Sequence, residues 1–180
     1  NYADINGLLF SYTLYRQNFH QTNFIYGFGR NEDIPEGITA TATAGYTNKQ
    51  GQRRGYYGLD FTATHFSKNS LFTSYVFRAG GFVNRNNIQD VDILFNVDHF
   101  TKLKRVSTFW RNRNFFSTSF TRQINTNLNT PLFLRSDFGL PYFRNALIAA
   151  DVRTTIKFET VFYNLKKIAG FRIAPFIFTD

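Results

Sequence analysis

Few residues in this chain are of types and spacings that do chemistry. The three histidines, His20, His65 and His99, stand far apart, whereas a zinc site needs ligands at close spacing. His65 and His99 each fall at the end of an apolar parity, where an amphipathic ring suits a membrane interface. Gly27-Phe28-Gly29 lacks the third glycine of a dinucleotide fingerprint and follows no βαβ pattern. There is no Gly-x-Ser-x-Gly elbow and no Gly-x-x-x-x-Gly-Lys phosphate loop. Asp92 and Asp98 share a face, yet they read as groups that solvate a lumen or pair with Arg and Lys of adjacent strands. General acid and base work would need a positioned reacting proton that nothing here supplies. No catalytic residue, cofactor site or metal site is therefore assigned, and no enzyme is expected.

The bulk composition narrows the classes further. The chain has 180 residues, a net charge of +9, and neither cysteine nor methionine. Hydrophobic residues make up 43% and aromatics 19%, with 23 Phe and 10 Tyr, which excludes a disordered chain. Without cysteine there is no disulfide framework. The missing methionine and the Asn at position 1 lead us to expect a processed chain or a fragment. Basic residues are scattered, with Arg53-Arg54 and Lys166-Lys167 the densest pairs, so no nucleic-acid partner is expected. No apolar run approaches the roughly 20 residues of a membrane helix. A membrane β-barrel stays open, because alternating strands do not raise the mean hydropathy.

The elements that must position these residues are strands. Period two dominates at 37–47, 55–65, 90–99 and 152–162. In 152–162, for example, Val152, Thr154, Ile156, Phe158, Thr160 and Phe162 oppose Arg153, Thr155, Lys157 and Glu159. In these four segments no charged residue falls on the apolar parity. Further strands are expected at 8–17, 22–30, 71–83, 106–122 and 168–180, giving about nine in an antiparallel meander. Turns are expected at 31–36, 48–51, 67–70, 84–87, 102–105 and 164–167. The one long connection, 123–145, is of a length that is usually functional or disordered. Many segments reach 10 residues or more, the length a tilted strand needs to cross a bilayer. Aromatics such as Tyr46, Tyr57, Trp110 and Phe162 near the segment ends fit interfacial girdles. A soluble β-sandwich or lipocalin-like barrel would alternate the same way, and alternation cannot say which face looks inward. Length and aromatic content favour a transmembrane barrel. On that reading Ile38, Ala40, Leu59, Phe61, Val91, Phe95, Ile156 and Phe158 meet lipid. Asp60, Asp92, Asp98, Arg153, Lys157 and Glu159, with Thr41, face the lumen.

Two stretches carry more than composition. One is Gly27-Phe28-Gly29-Arg30-Asn31-Glu32-Asp33-Ile34-Pro35-Glu36-Gly37. The other is Phe158-Glu159-Thr160-Val161-Phe162-Tyr163, followed by Ala169-Gly170-Phe171-Arg172-Ile173-Ala174-Pro175-Phe176-Ile177-Phe178-Thr179-Asp180. Together they resemble the barrel domain of the bacterial surface-antigen superfamily, the family of the BamA-type outer-membrane assembly factors. The resemblance spans most of the chain and is sharpest in its last 40 residues.

The resemblance implies an all-β, antiparallel up-and-down transmembrane barrel of about sixteen strands, of which residues 1–180 would form one partial domain. It implies a bacterial outer-membrane location and a role in inserting or translocating proteins without a cofactor. Its partners would be the lipid bilayer, the rest of the barrel, periplasmic domains, client outer-membrane proteins and accessory subunits. Two alternatives stay open: a barrel that anchors a hydrolase domain, and a passive pore. The family has a long loop with an Arg-Gly-Phe/Tyr tip that enters the lumen, and a Phe-x-Asp-x-Gly motif on the strand after next. Residues 123–145 stand at the loop's place, and Phe178-Thr179-Asp180 matches the start of the strand motif. The tip here reads Gly139-Leu140-Pro141-Tyr142-Phe143-Arg144, with Pro141-Tyr142 where Arg-Gly is expected. The lock candidates are thus Gly139, Pro141, Tyr142, Phe143, Arg144, Phe178 and Asp180, with Arg144 expected to replace the family arginine as partner of Asp180.

Overall fold

Long alternating segments with turn residues between them can satisfy their backbone groups only against one another, and they do so as a sheet. The computed structural model describes residues 5–25, 27–67, 71–129, 131–140 and 148–180. Its strands are β1 (Ile5–Asn23), β2 (Asn31–Lys49), β3 (Gln52–Phe66), β4 (Phe72–Asn84), β5 (Asn87–Phe100), β6 (Lys104–Arg105), β7 (Trp110–Ile124), β8 (Leu132–Phe133), β9 (Ala149–Ala150), β10 (Val152–Asn164) and β11 (Phe176–Thr179). No helix occurs among the described residues. A nine-stranded antiparallel sheet runs in the order β1-β2-β3-β4-β5-β7-β10-β11, with β6 pairing β7. β8 and β9 form a small ribbon inside the long β7–β10 connection. The sheet is open, with β1 and β11 at its edges.

Tight turns set the register. Gln50-Gly51, Arg85-Asn86 and Ala169-Gly170 all have positive φ at both positions, the backbone that matches the right-handed twist of paired strands. The principal strands run from 13 to 19 residues. At about 3.4 Å per residue the shortest spans roughly 44 Å, well beyond an ordinary soluble strand.

Paired residues share a face. One row reads Leu14, Ala40, Phe61, Phe77, Phe95, Phe120 and Thr154 across the sheet. The neighbouring row reads Thr13, Thr41, Asp60, Arg78, Leu94, Thr121 and Arg153. Burial is inverted relative to a protein core. Along β10, Ile156 is 59% exposed and Phe158 41%, while Arg153 is 8% and Thr155 7%. Phe95, Phe116 and Phe120 are likewise exposed beside buried Asn96, Ser119 and Thr121.

The polar face is the concave one. The β1–β2 link places Phe24 with its ring centroid 5.2 Å from that of Tyr163 on β10. Five strand spacings separate β2 from β10, which in a flat sheet would be about 24 Å. Tyr163 shares its parity with Arg153 and Thr155, so the sheet curls toward that side. The two buried apolar clusters of this face lie at one end. There Phe24, Val161 and Tyr163 form one cluster, and Ile34, Phe66 and Phe100 another.

Four expected boundaries are corrected. Residues 22–30 are not a strand: β1 ends at Asn23 and Phe24 turns at φ 59°. The expected turn at 31–36 is the start of β2, because β1 is long enough to pair Phe19 with Pro35 and Asn23 with Asn31. Pro35 is tolerated since β2 has only its β1 neighbour there; pairing with β3 starts at Gly37. Residues 106–109 are a hairpin tip ahead of β7, and the expected strand 168–180 is a second tip followed by the short β11.

Candidate functional site

The densest polar constellation lies on the concave face where β3, β5 and the β7–β10 connection meet. Gln50-Gly51 turns the chain so that Arg54 follows two residues into β3 on the concave parity. A β-bulge opposite Gly80–Phe82 inserts an extra residue into β5 and puts Asp90 at φ 50°. Bulges re-aim side chains, and here the carboxylate is turned onto Arg54. Arg54 Nη1 donates to Asp90 Oδ2 at 2.5 Å, and both side chains are fully buried. The guanidinium also sits 4.2 Å above the Phe82 ring. Such a buried pair stands only if the remaining lone pairs are satisfied.

The connection after β7 satisfies those of the carboxylate, whereas Arg54 Nε and Nη2 find no hydrogen-bond partner among the described residues. Backbone N–H groups of Asn127, Leu128 and Asn129 donate to the Asp90 carboxylate at 2.5, 2.9 and 3.1 Å. Asn129 Nδ2 donates to Asp92 at 2.8 Å, and Gln123 Nε2 to the other Asp92 oxygen at 2.9 Å. From β2, Lys49 Nζ donates to the Leu128 carbonyl at 2.8 Å. Three consecutive amides around one carboxylate form an anion-binding concavity whose anion is the protein's own.

A second grip lies farther along the loop. Arg153 donates to the Phe133 carbonyl at 2.7 Å and to Thr121 Oγ1 at 3.1 Å. The Phe138 carbonyl accepts from Thr155 Oγ1 at 3.0 Å and from Ser119 Oγ. Arg78, paired with Asp60 at 2.9 Å, lies 5.6 Å from the Phe138 ring centroid. The segment between these holds is a compact turn in which Leu140 N donates to Leu134 O at 2.7 Å and Gly139 N to Ser136 O at 3.0 Å. A Cβ on Gly139 would stand 2.1 Å from the Leu134 carbonyl oxygen, so only glycine fits.

Of the expected lumen residues, Asp60, Asp92 and Arg153 are thus brought to the loop. Asp98 instead accepts from Asn96 Nδ2 at 2.6 Å. Lys157 and Glu159 share the concave parity and line a hollow with Asp98, Phe178 and Asp180. Phe178 pairs with Glu159 on β10, and Asp180 is exposed just beyond β11. Pro141, Tyr142, Phe143 and Arg144 lie outside the described residues, so the expected Arg144–Asp180 lock does too. Among the described residues no cluster of His, Asp and Glu is arranged to hold a metal.

Sequence reasoning missed Arg54 as a site residue and took Asp90 only as the first residue of the alternating segment 90–99. Arg53-Arg54 stood out only as one of the densest basic pairs, and nothing in the spacing announces the bulge at Asp90. No family model, curated protein or solved structure matches this chain.

Proposed function

We propose that the chain is part of an outer-membrane β-barrel of the BamA-type surface-antigen kind, which assists insertion or translocation of proteins at the bacterial outer membrane. The observation that carries this reading is the inverted burial of the sheet. Large apolar side chains line the convex face, and charged and hydroxyl side chains are buried beneath a loop on the concave face. In water that arrangement would expose a large apolar surface. In a bilayer it puts apolar groups against hydrocarbon and keeps polar groups wet. The open edges at β1 and β11 would leave unpaired backbone groups in lipid, so further strands would complete the barrel. Function then needs no cofactor and no covalent step. A strand edge offers a template to an incoming strand, and residues 125–129 and 131–140 of the β7–β10 connection lie over the concave face.

The test is reconstitution of the full-length protein in vesicles and measurement of the folding rate of an unfolded outer-membrane client. Faster client folding than in empty vesicles is expected. A protein that inserts fully yet leaves the client rate unchanged would refute the assembly role and leave the anchor or pore reading.

A further inference from the structure

At the end of the sheet opposite the Arg54–Asp90 pair, two hairpin tips stand side by side. The first joins β6 to β7, with Val106 N and Ser107 N donating to the Trp110 carbonyl. The second joins β10 to β11, with Ile168 and Phe171 exchanging backbone hydrogen bonds around Ala169-Gly170. Leu165 N donates to the Phe109 carbonyl at 2.8 Å, and Lys166 Nζ sits 3.8 Å above the Phe109 ring, so the tips form one surface.

Its composition is one-sided. Residues 101–113 and 164–176 contain no Asp or Glu. Lys102, Lys104, Arg105, Lys166, Lys167 and Arg172 are all exposed. Among them stand Val106 at 58% exposure, Phe109 at 41%, Ile168 at 52% and Phe171 at 75%. These apolar groups sit at turn tips, where alternation of sheet faces does not explain them. Exposed aliphatic and aromatic groups interleaved with cations form the chemistry of a surface that dips into the headgroup layer and meets negative charge.

We propose that these two tips are a docking surface for anionic phospholipid headgroups of the leaflet in which this end of the sheet sits. The inference rests on the membrane reading above and adds a lipid preference to it. Lys104, Arg105, Lys166 and Lys167 meet the headgroup phosphates, and Ile168 and Phe171 seat among the first acyl carbons.

The experiment uses the full-length protein in neutral detergent micelles, with an environment-sensitive bimane label on a unique cysteine at the exposed tip position Thr108→Cys. Short-chain phosphatidylglycerol is titrated against short-chain phosphatidylcholine. A saturable blue shift with phosphatidylglycerol alone is expected. It should weaken as salt is raised from about 0.1 M to about 1 M, which shortens screening from about 10 Å to about 3 Å. The combined variant Lys104→Gln, Arg105→Gln, Lys166→Gln and Lys167→Gln should bind at least roughly 10-fold more weakly. That is a conservative figure if each cation near an anionic surface contributes about fivefold. Ile168→Ser with Phe171→Ser keeps the charges and should also weaken binding.

Equal response to both lipids, or a salt-independent shift, overturns the proposal. So does the same shift with inorganic phosphate, which would mark a free-anion site. The salt arm needs only the wild-type charges, so it decides the matter even if a variant fails to fold. Insertion into phosphatidylcholine vesicles is measured separately. A protein that inserts but shows no lipid preference refutes this inference alone, whereas one that never inserts refutes the membrane reading.

Discussion

Replacing Asp90 by Asn should release the β7–β10 connection from the sheet, and should cost more than replacing Arg54 by Gln. Among the described residues Asp90 is the charged partner of the Arg54 guanidinium, whose other neighbour is the face of Phe82. Removing the carboxylate charge strands a fully buried cation, a loss of about 3–5 kcal/mol. It also turns an acceptor with three incoming backbone N–H bonds into an amide that can accept at only one atom. In Arg54→Gln the carboxylate keeps those three bonds, so the loss should stay nearer about 1.5–3 kcal/mol, that of one charge-assisted bond. Denaturant unfolding of the full-length protein from vesicles gives the two costs. Limited proteolysis within 125–151 shows whether the loop has come free, and the double variant closes the cycle that isolates the pair. Equal costs, or a larger cost for Arg54→Gln, would mean that the amides do not hold Asp90 and would refute the account of the loop.

Gly139→Val should lower stability by about 1–3 kcal/mol and expose the loop to protease, since its Cβ would meet the Leu134 carbonyl at 2.1 Å; unchanged protease sensitivity would contradict the turn geometry. If the convex face meets lipid, Ile156→Arg should cost about 2–4 kcal/mol in vesicle unfolding, whereas Thr118→Val on the same face should be close to neutral; an Arg tolerated at 156 would place that face in water. Writing in the tip that the resemblance implies, as Pro141→Arg with Tyr142→Gly, should change protease protection of the loop less than Asp90→Asn does. The opposite ranking in the same digestion assay would return the main hold to the tip.

Much of the sheet is legible in the chain, and the reason is local. In 152–162 the charged residues Arg153, Lys157 and Glu159 fall on one parity and Val152, Ile156, Phe158 and Phe162 on the other, so strand and parity follow from one period. Boundaries are less legible where pairing overrides local chemistry. Asn31, Pro35 and Glu36 carry turn signals, yet β1 reaches far enough to keep them in a ladder. At 168–180 the reverse holds: Ile168, Phe171 and Ile173 have strand composition, but the positive φ values at Ala169 and Gly170 fold them into a hairpin tip. Which face is inside is not a property of alternation at all. It becomes visible through Phe24 reaching Tyr163 and through the loop lying over Arg153 and Thr155. The Arg54–Asp90 pair is the least legible feature, because it depends on a bulge and on a register between strands that are not neighbours in the chain.

That pair also changes what the departure at the loop tip means. A lock made by a tip arginine depends on one side chain, so placing Pro141-Tyr142 in its stead would abolish it. The hold is made chiefly by backbone amides of 127–129 and by the backbone carbonyls of Phe133 and Phe138, none of which depends on the identity of its own side chain, with Asn129 Nδ2 on Asp92 the one side-chain grip from the loop named above. The wall supplies the specificity instead, through Asp90, Asp92, Arg153, Ser119 and Thr155. A loop gripped by its main chain tolerates change at the tip while its path across the concave face is kept. Pro141-Tyr142 in place of the Arg-Gly that the resemblance implies therefore does not by itself argue against a loop held on the concave face, and the residues whose loss would do so are those of the wall.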